Sequence, residues 1–314
     1  MTASKSRALL FSGQGAQKVG MGADLYEQSL SARALYELAD HRLGWALREL
    51  SFYGPEDELT LTRVCQPALY VHGMAVLAAF RDYTGHHLRF EAAAGLSLGE
   101  YTAHAAASSF TFQTGLELVA ERGRLMEEAC NATTGTMMTL LGATPEQARE
   151  IAALCDVDVA NLNCPGQIVL SGGMKEMEGV SAAAKERGIR KVIPLNVAGA
   201  YHSRLMASAA KGLTPHLVKA EIGRPHVHVV ANFTADLTDT PEQIHAALEA
   251  QVCGSVRWEE SVRRLIAMGY TDFVECGPGA VLAGLLRRID PTVRCLSLES
   301  HADIVKHADA LLSP

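Results

Sequence analysis

The chain has 314 residues, 48% of them hydrophobic and 20% charged, so disorder is excluded and about two folding units around a sizeable core are expected. Lys and Arg number 28 against 35 Asp and Glu, and the resulting charge of −7 argues against a nucleic-acid binder, which needs a basic surface to neutralise phosphates. The longest apolar stretch, residues 71–80, is interrupted by His72 and Gly73 and falls short of the ~20 apolar residues that span a membrane.

The first fifteen residues lack the long apolar segment of a signal peptide. Residues 7–12 form a short apolar run that feeds Gly13-Gln14-Gly15, a strand running into a glycine turn. Helical patterns follow over about 21–50, broken near Gly44, and a strongly apolar helix is expected over 67–81. A second strand is expected at 91–95 and a helix over 97–108. Thr114-Gly-Leu-Glu117 fits a capping box, placing a helix start there. Along that helix Glu117, Glu121, Arg124 and Glu128 share a polar arc, whereas Arg122 projects into the apolar one. A guanidinium there calls for an anionic partner, because it cannot deprotonate to escape burial.

From Gly135 onward, strands at 136–141, 157–162, 168–171 and 189–195 alternate with helices at 145–154 and 174–187. That βαββαβ order is the ferredoxin-like unit. The expected architecture is therefore α/β, a discontinuous large domain (1–129 and 198–314) carrying an inserted small one (130–197). Strand-like runs resume at 226–232 and 272–276, with helices at 241–251 and 256–268. The seven Cys include no C-x-x-C pair, which fits neither a zinc site nor a disulfide framework and suits a reducing cytoplasm.

Gly95-Leu-Ser97-Leu-Gly99 matches G-x-S-x-G, in which a sharp strand-to-helix turn exposes a nucleophilic serine. The plainer alternative is a serine capping a helix, and the strand before and helix after favour the nucleophile. A serine needs a base at neutral pH. Among the 12 His, His86 and His87 sit in a polar loop, while His226 and His228 would share a strand face with no third metal ligand close in sequence. His202 follows a strand end and a glycine-containing loop, which makes it the leading candidate and no more. Gly13-Gln14-Gly15 is half of a dinucleotide fingerprint, but Lys18 occupies the third glycine position. A turn whose amides face an anion or oxyanion is the other reading.

Phe11-Ser-Gly-Gln14-Gly-Ala-Gln17, Gly95-Leu-Ser97-Leu-Gly-Glu100, Glu121-Arg122-Gly123 and Asn161-Leu-Asn163-Cys-Pro-Gly-Gln167 occur in that order. Gly199-Ala-Tyr201-His202-Ser203, Gln251 before Val256-Arg-Trp258, and Glu275-Cys-Gly-Pro-Gly279 continue the series. Together, from Leu9 to about Ile289, they resemble the malonyl-CoA:acyl carrier protein transacylases of fatty-acid synthesis. The resemblance implies a hydrolase-like parallel-sheet core, Ser97 as nucleophile, His202 as base and then acid, and Gln251 as the residue orienting it. It further implies an oxyanion hole from the amides of Gln14 and Leu98, and Arg122 as partner of the malonyl carboxylate. Asn163 and Tyr201 fall at family positions near the pocket. Leu96 stands where many relatives carry His, Ser12 replaces a common proline and Ala198 a common serine. Tyr201 replaces a frequent phenylalanine, and Ala200-Tyr201-His202 stays closer to the malonyl than to the methylmalonyl type.

The implied reaction is ping-pong, with malonyl-CoA and acyl carrier protein as partners, no bound cofactor or metal, no membrane insertion and a monomeric cytoplasmic enzyme. Rival readings are a freestanding loading enzyme of polyketide synthesis, a serine esterase or thioesterase, and a non-catalytic binding protein. Both implied substrates are acidic, so attraction to this acidic chain must be local: Arg122, and the run Lys185-Glu-Arg187-Gly-Ile-Arg190-Lys191 if it is more than solvated surface.

Overall fold

The computed structural model describes residues 6–313, so Met1–Lys5 of the opening segment and Pro314 lie outside the described residues. Among the described residues nine strands follow in chain order: β1 (Arg7–Phe11), β2 (Ala92–Gly95), β3 (Gly135–Ala143), β4 (Asp158–Cys164), β5 (Gly166–Gly173), β6 (Lys191–Pro194), β7 (His228–Val230), β8 (Asp272–Cys276) and β9 (Arg294–Leu298). They form two sheets. One is parallel, in the order β7-β2-β1-β8-β9, and the other is antiparallel, in the order β4-β5-β3-β6.

β1, β2 and β8 are buried along their whole length, as parallel strands covered on both faces must be. The strand expected at 91–95 is β2, and its three alanines leave room for close packing. Phe11 of β1 and Gly73 of the helix Thr62–Thr84 pack so tightly that a Cβ at Gly73 would lie 3.2 Å from the Phe11 ring. That helix is buried on most sides, as its composition predicts. It starts five residues before Pro67, which lies inside the helix and offers no amide to the Arg63 carbonyl one turn earlier.

Several boundaries differ from the sequence expectation. The expected capping box at Thr114 is not the helix start. The helix runs Phe112–Ala132, Thr111 is its N-cap, and the Thr111 hydroxyl accepts from the Thr114 amide (3.1 Å), so Thr114 lies inside the first turn. The single helix expected over 174–187 is two, Met174–Met177 and Val180–Glu186, with Gly179 capping the second. In the second half the helices Pro241–Cys253 and Trp258–Ala267 fall close to the expected ranges, and the Thr240–Gln243 capping box fixes the start of the first.

The antiparallel sheet is tied to the parallel body where Leu162 N donates to Val256 O (2.9 Å) and Val256 N to Ala160 O (2.8 Å). On the other side of the β4–β5 turn, Arg288 donates to Gln167 Oε1 (2.7 Å) and Pro165 O (3.1 Å). The cavity lies between the two sheets, so these links fix one of its walls against the other.

Candidate active site

Ser97 stands between β2 and the helix Gly99–Ala106, with φ 54°, in the left-handed region that non-glycine residues rarely adopt. The turn is possible because both flanking positions, too crowded for a Cβ, are glycine. A Cβ on Gly95 would lie 2.0 Å from the Gly99 backbone, and one on Gly99 would lie 2.2 Å from Phe11 O. Asn232, two residues beyond β7, completes the turn: its Oδ1 accepts from Ser97 N (2.6 Å) and its Nδ2 donates to Gly95 O (2.8 Å).

His202 also sits at positive φ, 56°, on a turn that Ser203 closes by donating to Ala200 O (2.6 Å). The two strained residues meet, with Ser97 Oγ 2.8 Å from His202 Nε2. His202 Nδ1 lies 2.8 Å from the backbone carbonyl of Gln251. A carbonyl only accepts, so Nδ1 carries the proton and Nε2 is the free base that receives the serine hydroxyl. Burial, and then the Arg122 cation, push the imidazole down to about 4, which keeps it neutral near pH 7.

Arg122 reaches the same atom. It is 1% exposed, and its Nη2 donates to Ser97 Oγ (3.0 Å) and Gln251 Oε1 (2.9 Å) while Nη1 donates to Gln66 Oε1 (2.7 Å). Its guanidinium also lies 5.5 Å from the centre of the Tyr101 ring. No carboxylate touches it among the described residues, and its Nε has no partner, so the hydrogen-bond demand of this cation is met by neutral amides and the serine. Gln251 Nε2 in turn donates to Ser97 O (3.0 Å) and to Glu100 Oε2 (2.7 Å).

Of the other residues singled out from the sequence, Gln14, Asn163 and Tyr201 line the cavity. Gln14 and Tyr201 face it, with Gln14 Nε2 3.5 Å from the Tyr201 hydroxyl, and that hydroxyl also shares a hydrogen bond with Thr62 Oγ1. Among the described residues the Gln14 and Leu98 amides donate to no protein group, which leaves both available to an oxyanion. Asn161 and Asn163 of β4, and Gln167 and Val169 of β5, project from the antiparallel sheet, and Asn163 Oδ1 has no partner. His226 and His228 stay on the surface, as do Lys185, Arg190 and Lys191, while Arg187 pairs with Glu150 (3.2 Å). Sequence reasoning missed Gln66 and Asn232. A glutamine on the buried face of a strongly apolar helix was the available signal for the first, and an asparagine just beyond a parallel strand for the second.

A serine, a tautomer-fixed imidazole and a buried arginine converging on one oxygen suit acyl transfer with an acidic acyl group. The sequence profile of the acyl transferase domain matches residues 8–298.

The chain belongs to that family.

Among its relatives, the malonyl CoA-acyl carrier protein transacylase of Bacillus subtilis is 40% identical over 296 residues, covering 93% of this chain and 92% of its own. The crystal structure of an acyl-carrier-protein S-malonyltransferase from Bartonella henselae superposes with a TM-score of 0.93 at 35% identity, covering 98% and 99% of the two chains. A third member of the family, solved as a malonyl-transacylase in complex with its type II polyketide acyl-carrier protein, matches with a TM-score of 0.91 at 34% identity over 98% of this chain and all of that one.

Proposed function

We propose that the protein transfers the malonyl group of malonyl-CoA to the phosphopantetheine thiol of acyl carrier protein, through a malonyl ester on Ser97, supplying fatty-acid synthesis. The observation that carries this reading is the buried Arg122 guanidinium 3.0 Å from Ser97 Oγ, a cation that favours a carboxylate-bearing acyl group over a neutral one. The names of the relatives point the same way.

In the first half-reaction Ser97 Oγ attacks the thioester carbonyl as its proton passes to His202 Nε2. The oxyanion is met by the Gln14 and Leu98 amides, a contribution of about 3 kcal/mol per donor. Collapse breaks the C–S bond, and the CoA sulfur takes the proton back from His202. The second half reverses these roles: His202 takes the thiol proton of the carrier, sulfur attacks the ester, and Ser97 leaves as its hydroxyl. Every proton is accounted for by His202, and no electron transfer or Lewis acid is required. Gln251 orients the imidazole through its carbonyl, and Arg122 holds the malonyl carboxylate. Arg122 stands one layer behind the cavity wall, where Gln66 and Ser97 face inward, so the carboxylate reaches it by displacing one of its amide contacts. Asn163 and Tyr201 shape the pocket around the acyl group and the thiol arm.

We read residues 1–129 with 198–314 as a hydrolase-like catalytic domain and 130–197 as a ferredoxin-like insert, a division supported by the βαββαβ order and the β4-β5-β3-β6 pairing. No helix of the described residues is long and apolar enough to cross a membrane. Seven free cysteines suit the cytoplasm, where we place the enzyme as a monomer. The same chemistry would serve polyketide synthesis, as the relative bound to a type II polyketide carrier illustrates. The deciding experiment incubates the chain with malonyl-CoA, with and without each kind of holo carrier protein. Carrier-dependent transfer is expected, and hydrolysis indifferent to carrier would make it a thioesterase.

A further inference from the structure

Glu100 follows the nucleophile turn directly, is fully buried, and touches none of the reacting atoms. A carboxylate in such a place is costly unless its bonds do something. Its two oxygens are used unequally. Oε2 accepts from Asn232 N (2.8 Å) and from Gln251 Nε2 (2.7 Å), whereas Oε1 has no partner among the described residues. Each of those two donors belongs to a residue that holds the site. Asn232 grips the turn on both sides of Ser97, through Ser97 N and Gly95 O. Gln251 meets Ser97 O with its amide nitrogen, Arg122 with its amide oxygen and His202 Nδ1 with its backbone carbonyl. A free primary amide can flip or swing. The acceptor at Oε2 fixes which end of Gln251 is nitrogen, and so presents its oxygen to Arg122.

We propose that Glu100 is a positioning residue for the transfer reaction, one carboxylate oxygen that locks Gln251 and Asn232 and through them sets Ser97, His202 and Arg122 in register. The inference rests on the malonyl-transfer reading of the site. It gives a role to the carboxylate of the Gly95-Leu-Ser97-Leu-Gly-Glu100 motif, whose glycines and serine are otherwise explained by the turn alone. Burial pushes the Glu100 carboxyl up to about 7, while its two donors and Arg122 act in the opposite direction; with the proton on Oε1 or absent, Oε2 remains the acceptor that both donors meet.

The test is burst-phase acylation of Ser97 by malonyl-CoA, read as intact mass, in Glu100→Ala, Glu100→Asp, Glu100→Gln and Gln251→Ala and in the Glu100→Ala/Gln251→Ala double variant. Removing a two-bond buried acceptor should slow acylation roughly 30–100-fold per folded enzyme in Glu100→Ala. Glu100→Asp keeps the charge but withdraws the oxygen, and should be impaired about as much. Glu100→Gln offers an oxygen at the same reach and should recover roughly tenfold of the loss. Because Glu100 acts through Gln251, the double variant should lose much less than the product of the single losses. Losses that multiply fully, or a folded Glu100→Asp that acylates at the wild-type rate, would overturn the proposal. So would a Glu100→Gln no better than Glu100→Asp, since charge or packing would then be the cause. Should Glu100→Ala fail to fold, the Asp and Gln pair decides alone. A wild-type chain that never acylates Ser97 would sink the functional reading instead.

Discussion

Where the parallel sheet meets the cavity, Ser97 and His202 sit at left-handed φ and are tied by buried hydrogen bonds. Where the antiparallel sheet meets it, Asn161, Asn163 and Val169 project from extended backbone at ordinary φ, although β4 shifts register on β5 at Val159/Asn161 and Leu162/Cys164. The first arrangement is costly, about 1–3 kcal/mol for each strained residue, and persists only because the surroundings over-determine it. The contrast follows from the tasks: reacting atoms must be placed to within a fraction of an ångström, whereas a wall need only have a shape.

That comparison can be broken at several points. The largest effect should come from Ser97→Ala, with malonyl labelling abolished and turnover down roughly 10⁴–10⁶-fold. A labelled variant would move the nucleophile elsewhere. Arg122→Ala should cost roughly 100-fold or more in malonyl use while sparing or raising acetyl use, measured as the ratio of the two acylation rates. Unchanged selectivity would assign the carboxylate to another group. The same variant has a pH signature. His202 is held down to about 4 by burial first and by Arg122 second, so wild-type acylation should be flat above roughly pH 5 and fall on the acid side. Removing the cation makes the imidazolium less unfavourable, so the acid limb of the rate profile should move to higher pH in Arg122→Ala. Smallest of all should be Asn163→Ala, with KM for malonyl-CoA raised roughly 2–10-fold and kcat nearly unchanged. A loss in kcat equal to that of Arg122→Ala would erase the distinction between the two sheets.

Much of this was legible before any coordinates, for identifiable reasons. Ser97 was findable because a tight turn needs small residues at fixed spacing, and Gly95 and Gly99 leave that mark. Arg122 was findable because helical periodicity makes a charge on the apolar arc visible, even though the start of that helix was read three residues late. Thr111 and Thr114 are both plausible caps, and only the tertiary position of Phe112 separates them. His202 was not decidable by spacing, since its pairing with Ser97 spans 105 residues, and the family resemblance supplied it. Gln66 and Asn232 stayed hidden for a different reason. Their roles lie in which side-chain atom meets which backbone atom, and amides leave no periodic signature. Among the described residues Arg122 meets the amide oxygens of Gln66 and Gln251 and no carboxylate, so the anion that its burial calls for is left to the malonyl group of the proposed reaction.

The crowding of Gly95 against Gly99, and of Gly99 against Phe11, bears on how this enzyme can change over time. Neither glycine admits a single added carbon without moving the strand, so no stepwise route leads through altered turns, and the nucleophile platform is inherited whole or lost. Drift, and any deliberate retuning toward other acyl groups, is thereby channelled to the opposite wall, where β4 and β5 offer one replaceable side chain at a time.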